Sequence, residues 1–289
     1  MRYEGNIFRP PSEAGSLLIQ ATVGCSHNRC AFCAMYRDKC FRVRKLGDVL
    51  DDIDSARKHY GPGVRRAFIC DGDALMLPNH YLLALLDRLG ERFPELQRVG
   101  IYANARDLLK KTEAELAELV ARRLAIFYLG LESGSDRVLE LIDKGATSGE
   151  MVEGVRKGMK SGMKSSVIYL LGLGGRSLWR EHAVESARAV SRMNPNYLSA
   201  LTVTVLPGTP LAAMMDSGEF ELPSPEEFAL ELKLFLESVD VRATVFRSNH
   251  ASNYVPLAGR FPKDRERLVA ELDAAVRDHR FKPEYLRGL

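Results

Sequence analysis

Apolar, β-branched runs alternate with longer stretches of helical period along most of this chain, and that alternation restricts the possible folds more than any other feature. Strand-like runs stand at 16–23 (SLLIQATV), 65–70 (RRAFIC), 98–103 (RVGIYA), 124–132 (LAIFYLGLE), 165–173 (SSVIYLLGL) and 197–206 (YLSALTVTVL). Between them lie segments of helical character at 46–60, 79–93, 112–123, 135–145 and 178–193. Strands that are apolar on both faces belong to parallel sheets covered by helices. Six such βα units are too few for a closed eight-stranded barrel, so the pattern predicts an α/β fold, a partial (β/α)6 barrel of the TIM type.

Helix ends can be read from the same text. Thr112-x-x-Glu115 is a capping-box signature, and Gly145 marks the expected end of the helix over 135–145. After Pro207 the pattern changes. Ser224 followed by Pro225 opens a helix over 224–239, residues 241–254 read as a strand entering a polar loop, and 263–280 form a last amphipathic helix. The expected organisation is a core at residues 1–212 and a small C-terminal α+β extension at 213–289, packed on the barrel.

Composition narrows the function classes. With 41 basic and 38 acidic side chains, a net charge of +3, the chain lacks the excess of a general nucleic-acid binder. No apolar run reaches membrane-spanning length, and the first residues carry no basic and apolar secretory pattern. A cytoplasmic location is the expectation. The odd count of five cysteines argues against a disulfide framework.

Three of those cysteines, Cys25, Cys30 and Cys33, fall in "TVGCSHNRCAFCAMY" directly after the first strand. Loops at the C-terminal ends of barrel strands are where such folds place chemistry. Three thiolates suit a zinc ion that finds a fourth ligand, from Cys40, Cys70 or His27, or an iron–sulfur cluster with one iron open. Cys70 ends an apolar strand and reads as a small core side chain, and Cys40 as a lone thiol.

At this point the sequence resembles the radical S-adenosylmethionine (radical SAM) superfamily. The spacing Cys-x4-Cys-x2-Cys, with Phe32 before the last cysteine, is one residue longer than the commonest family spacing. "CDGDALML" (70–77) resembles the segment that receives the methionine amine, with Gly72 and Asp73 at the matching positions and Asp71 in place of a glycine. "LGLESGSDRVLELIDKG" (129–145) resembles the segment in which a polar side chain meets the ribose and a basic one the methionine carboxylate; Glu132 and Lys144 match them. "YLLGLGGRS" (169–177), with Gly172 and Gly174, resembles the glycine-rich segment against the adenine. The resemblance covers roughly residues 14 to 212 and is nearest to oxygen-independent coproporphyrinogen oxidase-like and tRNA-modifying barrels.

What the resemblance implies is an enzyme that binds a [4Fe–4S] cluster and S-adenosylmethionine, cleaves the latter reductively to a 5′-deoxyadenosyl radical, and takes hydrogen from a small polar substrate. An electron donor such as flavodoxin or ferredoxin is the implied partner. Arg247, Asn249, His250, Asn253 and Tyr254 form a polar set after a strand and are the candidate substrate contacts; the alternative is an ordinary surface loop. Two other readings stand beside the first: a tRNA-modifying radical SAM enzyme, and a zinc- or cluster-bearing binding protein without turnover.

Overall fold

A computed structural model describes residues Met1–Gly288. In chain order the strands are β1 (Leu17–Gln20), β2 (Thr22–Val23), β3 (Arg42–Val43), β4 (Arg66–Cys70), β5 (Arg98–Tyr102), β6 (Leu124–Glu132), β7 (Lys164–Leu171), β8 (Tyr197–Thr202), β9 (Val245–Arg247) and β10 (Ala258–Arg260). The helices are α1 (Leu46–Tyr60), α2 (Asn79–Arg92), α3 (Ala105–Lys110), α4 (Glu113–Ala121), α5 (Asp136–Leu141), α6 (Ser148–Lys160), α7 (Gly175–Met193), α8 (Pro210–Ser217), α9 (Pro225–Ser238) and α10 (Arg265–Arg277).

Contacts divide the chain into two compact units. The first contains Met1–Asn28, Met35–Leu129 and Gly154–Ser165; the second contains Arg29–Ala34, Gly130–Glu153 and the chain from Ser166 onward. In the first unit β1, β4, β5 and the leading part of β6 pair in that order, all parallel. In the second, β7, β8 and β9 are parallel neighbours and β10 closes the edge antiparallel to β9. The fold is thus mixed α/β with a mostly parallel set of strands. Long apolar runs produce this: along β4 the four residues after Arg66 are all buried, as expected of strands covered on both faces.

The expected first strand is broken. β1 ends at Gln20, and Thr22–Val23 pair instead with Arg42–Val43 as a separate antiparallel ribbon. The Ala21 amide still bonds the Cys70 carbonyl while its carbonyl accepts from Arg44, so the chain changes partners within one residue. The expected helix over 135–145 is also shorter. Ser135 caps the Val138 amide and α5 ends at Leu141. α6 follows, opened by the reciprocal Thr147–Glu150 bonds of a capping box that the sequence carried as Thr147-x-x-Glu150. The capping box expected at Thr112 forms with Glu115, and the expected N-cap Ser224 closes one with Glu227 as well. The expected strand over 241–254 shrinks to the three residues of β9. In the second unit α9 packs against both α7 and α10.

Candidate functional site

The first unit places Cys25, Gly72 and Asp73 together where the chain leaves β2 and β4. A Cβ at Gly72 would lie 2.5 Å from the Tyr36 ring and 3.1 Å from Cys25 Cβ, so only glycine lets the Cys25 loop approach this strand end. Asp73 is fully buried. One carboxylate oxygen accepts from Arg106 Nη2 at 2.8 Å and from the Ser26 hydroxyl, which Arg106 also contacts. The other oxygen is buried and, the neighbouring Asp107 carboxyl aside, meets no donor.

Burial works to raise the Asp73 pKa, but hydrogen bonds from Asp107, Ser26 and Arg106 outweigh it and hold the carboxylate below its ordinary value. Asp107 moves the other way, up to about 8, through burial and the neighbouring Asp73 charge. The two carboxyls of the pair are thus pushed in opposite directions. Arg106 and Asp107 have no family motif to announce them, although Asn104-x-x-Asp107 is a readable capping box on α3.

Cys30, Phe32 and Cys33 belong to the second unit. The Cys33 amide bonds the Cys30 carbonyl at 3.1 Å. Ala31 is clamped on both sides, its amide on the Ile142 carbonyl and its carbonyl accepting from the Leu211 amide at the start of α8. Arg29 pairs with Asp143 at 3.3 Å. All three cysteines are half-buried. Cys70, by contrast, is buried, its thiol pushed up by desolvation and the adjacent Asp71 charge, so it stays protonated in the core as expected.

Glu132 and Lys144 meet directly, Nζ to Oε1 at 3.1 Å, with both side chains close to nine-tenths buried. Glu132 sits in the left-handed region with φ of 61°, a conformation uncommon for a side-chain-bearing residue and concentrated at functional sites. Gly130 makes this possible: a Cβ there would fall on the Glu132 carboxylate. Sequence reasoning singled out the pair but not the glycine two residues before it.

Gly172 turns with φ of 88°, and a Cβ on it would strike the Phe228 ring. Its amide donates to Glu231 Oε1 at 3.0 Å, which also accepts from the Tyr169 hydroxyl at 2.7 Å. Gly174 lies against His182 and the Leu178 backbone. His182, fully buried, sits with Nε2 3.1 Å from the Leu170 carbonyl and Nδ1 2.8 Å from the Ser133 hydroxyl. Burial pushes the Glu231 pKa up to about 7, against the bonds from Gly172 and Tyr169, and pushes His182 down to about 4.

These two groups give opposite pH dependences. Between pH 4.5 and 7 the folded chain keeps a Glu231 proton that the unfolded chain has lost, so this contribution to stability falls as pH rises. His182 stays neutral in the fold down to about 4, while the unfolded imidazole charges below 6.5, so its contribution rises with pH over that window. Glu231 Oε1 lies 3.4 Å from His182 Nε2, so a Glu231→Gln variant removes the falling slope while keeping a neutral neighbour for the imidazole. Denaturation midpoints of the apoprotein at pH 5 to 6.5 are expected to climb more steeply for the variant, by up to about 1.4 kcal/mol per pH unit. Parallel profiles would refute the assignment.

The five expected substrate contacts do not form one constellation. Asn253 is a clasp within the fold: its amide donates to the carbonyls of Ala200 and Ser248 and its oxygen accepts from Thr202. The Tyr254 hydroxyl donates to Glu284 at 2.8 Å and its ring carries the Arg287 guanidinium 4.0 Å away. These bonds tie both groups into the fold. Both residues form part of the wall of a shallow cleft lined also by Leu171, Thr202 and Phe228. Arg247 and Asn249 are exposed, and His250 is half-buried with Nδ1 bonded to Ser252.

Among the described residues, no group of three or more His, Cys, Asp or Glu side chains is gathered around a single ion position. The donor types, the second buried oxygen of Asp73 and the glycine approach at Cys25 fit the cluster and the cationic amine of S-adenosylmethionine.

Solved structures share this fold at low identity. Coproporphyrinogen III oxidase (HemN) of Escherichia coli, described as a radical SAM enzyme, superposes with a TM-score of 0.59 and 20% identity, over 77% of this chain and 52% of that one. Elp3 of Methanocaldococcus infernus gives 0.55 and 16%, over 90% and 63%. These are partial TIM-type barrels, and that is the fold class of this chain. The model of the radical SAM superfamily matches residues 19–187. The chain belongs to this superfamily and is a radical SAM enzyme, whose cofactors are a [4Fe–4S] cluster and S-adenosylmethionine. An uncharacterized protein of Methanocaldococcus jannaschii is 28% identical over 170 residues, 58% of this chain; the chain spans about half that relative's length. No helix among the described residues is long and apolar enough to cross a membrane.

Proposed function

We propose that the chain acts on a small polar molecule, with Cys25, Cys30 and Cys33 holding the cluster and leaving one iron open. A reduced cluster held there would supply the electron that splits S-adenosylmethionine into methionine and a 5′-deoxyadenosyl radical, which would take hydrogen from the substrate. In this reading Asp73 receives the methionine amine on the buried oxygen that, Asp107 aside, lacks a donor, and that oxygen is the observation that carries the proposal. A fixed carboxylate, kept ionised by Arg106 and Ser26, favours an ammonium group there. Lys144 exchanges its bond to Glu132 for the methionine carboxylate, freeing Glu132 for the ribose hydroxyls. Gly172 and Gly174 lie against the adenine, their turn held from behind by Glu231, and Phe32 packs beside the cluster loop.

The reductant is a small electron-transfer protein. Residues 213–289 serve as an extension of a core at 1–212, and the reach of Glu231 to Tyr169 and Gly172 supports that division of labour. Arg247, Asn249 and His250, with Asn253 and Tyr254 behind them, are the proposed substrate contacts. The test is anaerobic reconstitution with iron and sulfide, followed by reduction and measurement of 5′-deoxyadenosine. Wild type is expected to form it and a Cys25/Cys30/Cys33→Ala triple variant to form none. Equal yields from the two, or none from wild type, would overturn the reading.

A further inference from the structure

The residue at which this chain departs from the family pattern, Asp71, is fully buried at the end of β4. One of its oxygens accepts three donors: Gln20 Nε2 at 3.1 Å, the Gly24 amide at 3.1 Å and Lys39 Nζ at 3.0 Å. Gly24 is the residue before Cys25, and Lys39 follows Cys33 by six positions, so these bonds bracket the stretch that contains all three cysteines. The Asp71 amide is itself tied to the Thr22 hydroxyl at 3.2 Å.

Lys39 is built into the fold. Its side chain is 5% exposed, its ammonium lies 5.3 Å from the Tyr36 ring centroid, and it also donates to the Asn6 carbonyl. The two ends of the stretch touch. A Cβ on Gly24, whose φ is 78°, would come within 3.3 Å of Lys39 Cβ. A buried ion pair of this kind is weak evidence for stability, because desolvation offsets the attraction, and its best-attested use is to specify one arrangement. Here the arrangement specified is the position of the loop ends.

We propose that Asp71, with Lys39, is a positioning clasp that fixes the entry and exit of the cysteine loop before iron and sulfide arrive. A glycine at position 71 could offer neither the acceptor nor the charge. The inference rests on the reading that this loop holds the cluster, and adds that holding depends on a pair that touches no iron. Fixing the loop ends in the apoprotein removes ordering that cluster binding would otherwise require.

Lys39→Met alone would strand a buried carboxylate, so the informative variant is Asp71→Asn with Lys39→Met, which removes both charges together. Wild type and double variant are reconstituted anaerobically, and iron loss to an excess of chelator is followed by the cluster's visible absorbance. Apoprotein melting is recorded in parallel, and EPR line shape after reduction. The double variant is expected to melt near wild type, lose iron at least roughly tenfold faster, and show a broadened or altered EPR line shape. Lys39→Arg, which keeps the charge, should return iron loss to within a few-fold of wild type.

Wild-type iron loss and line shape in the double variant would overturn the clasp. So would a loss of iron no greater than the loss of melting temperature explains. If the double variant fails to fold, hydrogen exchange at the Gly24 amide in Asp71→Asn decides: exchange as slow as in wild type contradicts the proposal. Failure of wild type itself to take up a cluster would instead refute the underlying reading.

Discussion

An Asp73→Asn variant is expected to bind S-adenosylmethionine roughly 10- to 100-fold more weakly than wild type, the equivalent of about 1.5–3 kcal/mol for a hydrogen bond to a charged group. The carboxylate is fully buried, one oxygen is engaged by Arg106 and Ser26, and the other, the Asp107 carboxyl aside, has no donor. Asparagine keeps the size and an acceptor but offers no negative charge to an ammonium group, and it removes the anionic partner that Arg106 has at 2.8 Å. Equilibrium dialysis against the reconstituted protein reads the effect, with iron content as control. Unchanged affinity at full iron loading would remove Asp73 from the cofactor site.

A Phe235→Ala variant is expected to lose about 3–5 kcal/mol of stability, the range for truncating a fully buried aromatic side chain. Phe235 on α9 is 0% exposed, and its ring stacks on Tyr169 with centroids 4.4 Å apart and planes 14° from parallel. Because Tyr169 and the Gly172 amide share Glu231 Oε1, the cavity also loosens the support of the glycine turn. Against a typical total of about 5–15 kcal/mol the loss is large enough to read from urea midpoints of the apoprotein. A loss below about 1 kcal/mol would mean that this contact is not part of the core.

Those two residues mark what the sequence could and could not say. Asp73 was readable because it stands in a local motif at a strand end, as did the cysteines, Glu132 and the capped helices. The strands were readable because parallel strands buried on both faces are written as apolar runs. Partners from distant parts of the chain were not. Arg106, 33 residues from Asp73, and Glu231, 59 residues from Gly172, occupy ordinary amphipathic helices, where a charged residue normally reads as solvated.

The partners of Asn253 and Tyr254 were hidden in the same way, because polar residues after a strand usually face solvent. Here Thr202, Ala200, Glu284 and Arg287 absorb them, and no local pattern announces that. The first expected strand broke at Ala21 because its second half finds a better antiparallel partner in Arg42–Val43, a pairing set by the return of the cysteine loop.

The most direct test is the EPR spectrum of the anaerobically reconstituted, reduced wild-type protein, recorded before and after addition of S-adenosylmethionine. A cluster held by Cys25, Cys30 and Cys33 with one open iron predicts a reduced-cluster signal whose line shape changes when the cofactor is added, and no such signal in the triple alanine variant. A signal indifferent to S-adenosylmethionine, or one that survives loss of all three cysteines, would contradict it.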